Sequence, residues 1–452
     1  MSSLKQNSLK SLGYLFFQSG YSAVLGLITN LIITALAAKQ VFGIYATTLA
    51  TIAIFNYLSD IGLAGALIQK KEVTEDDLST VFTVQQSIIT TLVICGLLLT
   101  PFVQSYYHLP KDAIYLYWAV LAGFFISSLK TIPSVLLERS VKFANIVRVQ
   151  VVENTLFYVI VSGCMLAGLN LYSFAIGVIV RSLAGTILMY RASPWRPRLK
   201  LHIASLKELL SFGVPFQANS LLALVKDELM IIFLGRTLGM QGLGDIVWAK
   251  KWAEAPIRII MDNVSKILFP VLSRMQDDKD KLQKTVSVTI WLQTIILAPT
   301  LLLAAVALPY LVNHLPQYHK WQNALPIFYI FCASAFFSTL STPFMNIFNA
   351  LKKPKVPLYF MIFWTASTWL LTPWFISRFG PIGFAWVQLI LSCTFVAVVY
   401  YSNRLLKLRL FAWKEVYTNL KELILPIVLR LHRGKVLLSE IPVSQSHEDK
   451  LE

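Results

Sequence analysis

The stretch FYVIVSGCMLAGLNLYSFAIGVI, Phe157 to Ile179, holds no charged residue, and neither does IITTLVICGLLLTPFV, Ile88 to Val103. A helix needs about 20 largely apolar residues to cross the ~30 Å hydrocarbon core of a bilayer. Windows of that length recur near 11–37, 41–68, 79–104, 114–137, 147–168, 171–190, 209–234, 241–273, 285–312, 323–350, 357–378 and 381–402, which predicts 12 spans. Three of them, 41–68, 147–168 and 241–273, also carry ionisable groups. The 452 residues are 56% hydrophobic and only 14% charged, with a mean hydropathy of +0.63. A soluble domain carries about 25% charged residues. The pattern excludes a water-soluble enzyme, a nucleic-acid binder and a disordered chain. It describes an all-α integral membrane protein.

The net charge of +17 is distributed by topology. With the N-terminus inside, 18 basic residues fall on the cytoplasmic side, among them Lys5, Lys10, Lys70, Lys71, Arg139 and Lys142, against 5 in the opposite loops, Lys39, Lys111, Arg236, Lys320 and Arg378. That asymmetry predicts cytoplasmic N- and C-termini. The longest basic connection, 191–208, divides the spans six and six, giving an N-terminal lobe at 1–198 and a C-terminal lobe at 199–403. A basic cytoplasmic tail follows at 404–452, partly disordered. Ser8-Leu-Lys-Ser-Leu12 and Ser205-Leu-Lys-Glu-Leu209 head the two lobes alike. Leu36-Ala-Ala-Lys39 before Gly43, and Leu234-Gly-Arg236 before Gly242 and Gly244, continue the likeness. Ser205 and Glu208 have capping-box spacing and predict the start of the seventh helix. The first apolar run exceeds the ~7–15 residues of a signal-peptide core and reads as an uncleaved span. The segment 423–431 is too short to cross. Cys95, Cys164, Cys332 and Cys393 lie in apolar surroundings, without metal-ligand spacing.

Ionisable residues inside spans are costly, about 2.5–3.5 kcal/mol at a helix centre on insertion scales, so each needs a partner or a cavity. Lys251, Glu254, Arg258, Asp262 and Lys266 recur every three or four residues and form one polar stripe of alternating sign. The stripe is either a salt-bridge ladder lining a vestibule or, with Lys250, a set of cations for an anionic head group. Lys226-Asp227-Glu228 lies about two turns inside the seventh span. Its carboxylates pair with the next helix or take up a proton or cation that drives transport. Arg181 is mid-span and cannot be neutralised by deprotonation, so it is paired, hydrated or bound to an anion, with Glu153 the bland partner. Lys130 either faces a cavity or snorkels to the cytoplasmic side.

The sequence holds no Gly-rich phosphate loop, HExxH or GxSxG, and no large outer loop with paired carboxylates. In LIITALAAK (31–39), FGIY (42–45), IGLAGALIQ (61–69), PSVLLER (133–139), FGVPF (212–216), FLGR (233–236) and FPVLSR (269–274), the chain resembles Wzx-type polysaccharide flippases, a branch of the MATE/MOP transporter superfamily. The resemblance covers residues 8 to about 403. It implies two six-helix lobes around a cationic cavity, in a bacterial inner membrane. The implied task is to flip polyprenyl-pyrophosphate-linked oligosaccharide for polysaccharide assembly, alongside other assembly proteins. Arg181, Lys226, Lys250, Lys251, Arg258 and Lys130 are then the candidate substrate contacts. Asp227, Glu228 and Glu153 are the candidates for coupling to H+ or Na+, with no cofactor or metal required. A cation-coupled drug antiporter of the same fold and a membrane glycan polymerase are the alternatives.

Overall fold

The computed structural model describes residues 2–406 apart from 61, 71, 141, 275–278, 352 and 354; the side chains of 2–16, 211–220, 258–281 and a few single positions lie outside the described set. So do the tail and the short segment 423–431. The elements are α1 (Ser2–Leu36), α2 (Lys39–Asp60), α3 (Leu63–Gln69), α4 (Glu75–Leu98), α5 (Thr100–Tyr107), α6 (Lys111–Ser128), α7 (Thr131–Arg139), α8 (Phe143–Leu166) and α9 (Leu171–Ala192). They continue with α10 (Ile203–Arg274), α11 (Lys279–His314), a 3-10 turn η1 (Pro316–Ala324), α12 (Leu325–Ala350), α13 (Lys355–Phe379), α14 (Pro381–Ser392) and α15 (Phe395–Leu406). α10 is two arms joined at Gly239, whose φ of 69° and ψ of 170° break the helix.

Eight of these rods are long and apolar enough to cross a membrane, and a ninth is α6 with α7, bent by 43°. The two arms of α10 and α13 complete the set, so the described residues form the expected all-α membrane protein with two lobes of six helices. The arms of α10 carry Lys226, Asp227 and Glu228, then Asp245, Lys250, Lys251 and Glu254.

Three predicted spans are broken in ways a hydropathy window does not register. Residues 41–68 become α2 and α3, parted at Gly62 with φ 74°. Residues 79–104 become α4 and α5, with Pro101 in the first turn after the break. The α6–α7 bend follows from Pro133, whose ring would strike the carbonyl four residues back, and that residue is the α6 cap Leu129. The seventh helix begins at Ile203, two residues before the predicted Ser205, whose hydroxyl instead lies 3.2 Å from His202 Nδ1. α4 is opened by a capping box not anticipated from the sequence. Thr74 Oγ1 accepts from the Asp77 amide, and Asp77 Oδ2 accepts from the Thr74 amide at 3.0 Å. Lys70 Nζ closes on the same carboxylate at 3.0 Å. Arg139 donates to the Lys70 carbonyl at 2.6 Å and to that of Leu67, filling the carbonyls left open at the end of α3.

The first lobe is built on α8, which packs on α1 and α9, while α9 packs on α6. The second is built on α12, against α10, α11 and α14. Leu98, Leu302 and Leu370 are left exposed, as expected where lipid rather than water is the outer solvent.

The lobes join along α2 and the second arm of α10. A Cβ on Gly43 would lie 2.1 Å from the Met240 carbonyl oxygen, and one on Gly244 would lie 2.1 Å from that of Lys39. The contact is reciprocal, each glycine meeting a carbonyl that lies four residues ahead of the other glycine. Around it Lys39 Nζ pairs with Asp245 at 2.7 Å. Trp248 stacks on Trp321 with centroids 4.7 Å apart. Trp321 Nε1 donates to the Thr34 carbonyl at 2.8 Å, and Lys320 Nζ to that of Ala35 at 2.9 Å. This end of the bundle, where α1 meets α2 and α11 meets η1, is therefore sealed.

Candidate functional site

Two groups of candidate residues emerge, one in each lobe. The first centres on Arg181 in α9. It stands one turn from Gly177 and one from Gly185, on the face turned to α8. A Cβ on Gly185 would overlap the Glu153 carboxylate. Leaving that Cβ out lets Glu153 lie buried against α9, and its partner there is Lys130 Nζ, at the α6–α7 bend. The bridge between Glu153 and Arg181 that the sequence suggested is not formed. Arg181 instead lies with its guanidinium 5.6 Å from the Phe157 ring, and its charge reaches Tyr45 of α2 and Tyr158 of α8. Its side chain is exposed, and among the described residues no carboxylate lies within ion-pair distance. A permanent cation so placed in a span is available for an anion.

The second group surrounds a cavity of about 630 Å³ in the second lobe. The two arms of α10 bring Lys226, Asp227 and Glu228 from one side and Lys250 and Glu254 from the other. α12, α13 and α14 close the remainder, with Ser334, Ser341, Trp364 and Gln388 on the wall. Four of the candidate residues, Lys226, Asp227, Glu228 and Lys250, therefore share one site. Within it Lys226 Nζ is 3.7 Å from Asp227, and Lys250 Nζ is 3.7 Å from Glu254 one turn on. The second pair is an i,i+4 bridge that uses Lys250 where the predicted ladder began at Lys251. Lys251 is exposed and does not line the cavity. The side chain of Arg258 lies outside the described residues, as do those of Asp262 and Lys266.

The described lining carries two ammonium groups and three carboxylates, so this part of the second lobe is mixed in charge. The hydroxyl and amide residues of α12 and α14 were not singled out from the sequence. Serines and threonines are common in membrane helices, and only the fold shows which ones gather. Lys39 and Asp245 were likewise missed as a pair; their signal was the Gly43 and Gly244 likeness, which brings their segments together. Among the described residues no group of three or more His, Cys, Asp or Glu is placed to hold a metal ion.

The chain matches the family model described as "Polysaccharide biosynthesis protein" over residues 32–326. The lipopolysaccharide biosynthesis protein WzxC of Escherichia coli strain K12 is 23% identical over 351 residues, covering 75% of this chain and 69% of that one. Teichuronic acid biosynthesis protein TuaB of Bacillus subtilis strain 168 is 23% identical over 354 residues, covering 74% and 69%. Among solved structures, the lipid II flippase MurJ in an inward closed conformation superposes with a TM-score of 0.71 over 92% of each chain at 14% identity. An inward-facing multidrug resistance MATE family transporter of the MOP superfamily gives 0.63 over 87% of this chain and 94% of that one, also at 14% identity. At such identities the superpositions establish the architecture. The matched region runs from α1 through η1 into α12, taking in the sealed end, Arg181 and both arms of α10, and this multi-pass membrane chain belongs to the polysaccharide biosynthesis protein family.

Proposed function

We propose that this protein is a transporter that carries a polyprenyl-pyrophosphate-linked oligosaccharide from the cytoplasmic to the outer leaflet of a bacterial inner membrane, without catalysing a covalent reaction. The observation that carries the reading is Arg181, an exposed cation in a membrane span with no carboxylate partner among the described residues. A pyrophosphate crossing hydrocarbon needs such a charge, and a guanidinium presents its donors in the fork geometry that phosphate accepts. The names of WzxC and TuaB, and the shared fold of MurJ, support the same substrate class.

The loop charges support cytoplasmic termini, which puts the sealed end on the outer side and makes this the inward-facing state. Transport is then a rocking of the lobes at 1–198 and 199–403 that parts α2 from α10. Coupling to H+ or Na+ falls to Asp227 or Glu228, which line the cavity; Glu153 is held by Lys130 and serves the first lobe's packing. The leaflet location of lipid-linked glycan tests the proposal, read with an impermeant lectin or oxidant on spheroplasts from cells lacking the protein. Glycan trapped inside, released by the wild type and not by Arg181→Ala, supports it; glycan reaching the outer face without the protein refutes it.

The excess of carboxylates in the cavity favours a second reading, a cation-coupled antiporter for small cationic molecules. It predicts that loss of the protein sensitises cells to lipophilic cations while glycan export continues.

A further inference from the structure

The cavity in the second lobe is unlike a phosphate site. Its charged corner holds Asp227, Glu228 and Glu254 against Lys226 and Lys250. Both lysines lie within 3.7 Å of a carboxylate of the same corner. Among the described lining residues an anion would meet three carboxylates against two ammonium groups, in a medium of low dielectric where like charges repel strongly.

The opposite wall is neutral and rich in hydrogen-bonding groups. Ser338 and Thr368 spend their hydroxyls on carbonyls of their own helices. Ser334, Ser341, Thr342 and Gln388 make no hydrogen bond to the protein among the described residues, although Ser334 and Ser341 are buried. Neither hydroxyl is among the fully enclosed unpartnered atoms, so both reach the cavity and are open to water or a ligand. Trp364 completes the wall. Its Nε1 donates to Thr394 Oγ1 at 2.8 Å, which fixes the indole while the ring lines the space. A volume of about 630 Å³ falls inside the ~300–1,000 Å³ range of ligand sites.

Fixed aromatic ring, free hydroxyls, one free carboxamide and, among the described residues, no excess of positive charge together match a pyranose. A sugar presents an apolar C–H face to an aromatic ring and a rim of hydroxyls to small polar groups, each able to donate and accept. We infer that the second-lobe cavity is a saccharide subsite, selective for neutral or amino sugars against uronic acids, and separate from the Arg181 region that takes the pyrophosphate. The inference rests on the transporter reading and adds to it the part of the substrate that the second lobe recognises.

The test is native mass spectrometry of the full chain in lipid nanodiscs with three kinds of probe. These are bare polyprenyl diphosphate, the same lipid carrying a neutral hexose or N-acetylhexosamine, and the same lipid carrying a hexuronic acid. At least one neutral glycolipid binds tenfold or more tightly than the bare lipid, and the uronyl lipid binds no more tightly than the bare one. Ser334→Ala combined with Gln388→Ala cuts the neutral-sugar increment below about threefold while bare-lipid affinity stays put, which also shows that the variant is folded. Glu228→Gln combined with Glu254→Gln raises affinity for the uronyl lipid. Equal binding of bare and neutral lipids, or strongest binding of the uronyl lipid, overturns the subsite and leaves the transporter reading standing. Failure of all three lipids to bind the wild type overturns both.

Discussion

Gly244→Ala is the sharpest perturbation the structure offers, because the added methyl has nowhere to go. Its Cβ would sit 2.1 Å from the Lys39 carbonyl oxygen, whereas ordinary contact begins near 3.4 Å, so α2 and α10 must part by 3.4 − 2.1, or 1.3 Å. The atom in the way is backbone, which no rotamer change can move. The Lys39–Asp245 pair, now at 2.7 Å, and the Trp248–Trp321 stack span the same seam and loosen with it. Overpacking of this kind costs about 1–3 kcal/mol. Because the strain exists only when the seam is shut, it moves the balance between shut and open arrangements by roughly 5–150-fold. Spin labels at the exposed positions 40 and 319, in a background lacking the four cysteines, report the separation across the seam by double electron–electron resonance. Gly244→Ala should shift the distribution to longer distances. Gly43→Ala should do the same independently, through the Met240 carbonyl at 2.1 Å. Gly163→Ala, where no atom lies within 4 Å of the new Cβ, is the control and should leave it unchanged. If both seam variants give the parental distribution, the close-contact argument is wrong.

Other outcomes follow from single contacts. Arg181→Ala should lower glycan translocation in the spheroplast assay at least tenfold with normal protein yield, and Arg181→Lys should restore it only in part, since an ammonium lacks the bidentate fork. Glu153→Gln leaves the half-buried Lys130 without its counter-charge and should cost about 1–3 kcal/mol in chemical denaturation, while the double change to Met at 130 and 153 should recover much of that loss. Trp321→Phe keeps the stack on Trp248 but removes the donor to the Thr34 carbonyl, for a loss of about 1 kcal/mol visible as a lower melting temperature. Asp77→Ala removes the reciprocal cap of α4 and the partner of Lys70 together, and should cost about 1–2 kcal/mol in the same measurement.

Hydropathy over 20 residues is a sum along the chain, so the spans could be read from windows such as 157–179. Breaks within spans depend on backbone geometry at single residues. Pro133 supplies the chemical reason for one of them, whereas the break at Gly62 has no such ring behind it. Which cation meets Glu153 depends on how α6, α8 and α9 are rotated about their axes, and no spacing within one helix encodes that. Gly185 was the overlooked clue, since a glycine facing α8 leaves room for a carboxylate to turn that way. Lys226, Asp227, Glu228 and Lys250 could be grouped from sequence because both arms of α10 are long, regular and adjacent. Ser334, Ser341 and Gln388 come from helices far apart in the chain, and their convergence is a property of the packed lobe alone.

The second arm of α10 has mechanical implications. Asp245, at the seam with α2, and Glu254, in the cavity wall, stand nine residues apart on one unbroken helix, roughly 13 Å at 1.5 Å per residue. A helix over that length behaves as a stiff lever, with Gly239 as the pivot at its end. A head group large enough to push Glu254 aside must tilt the lever and so strain the Lys39–Asp245 latch. An occupant too small to press on the wall leaves the latch at rest. If the second-lobe cavity takes the saccharide as proposed, residues that alter its fit will also alter how readily the protein opens.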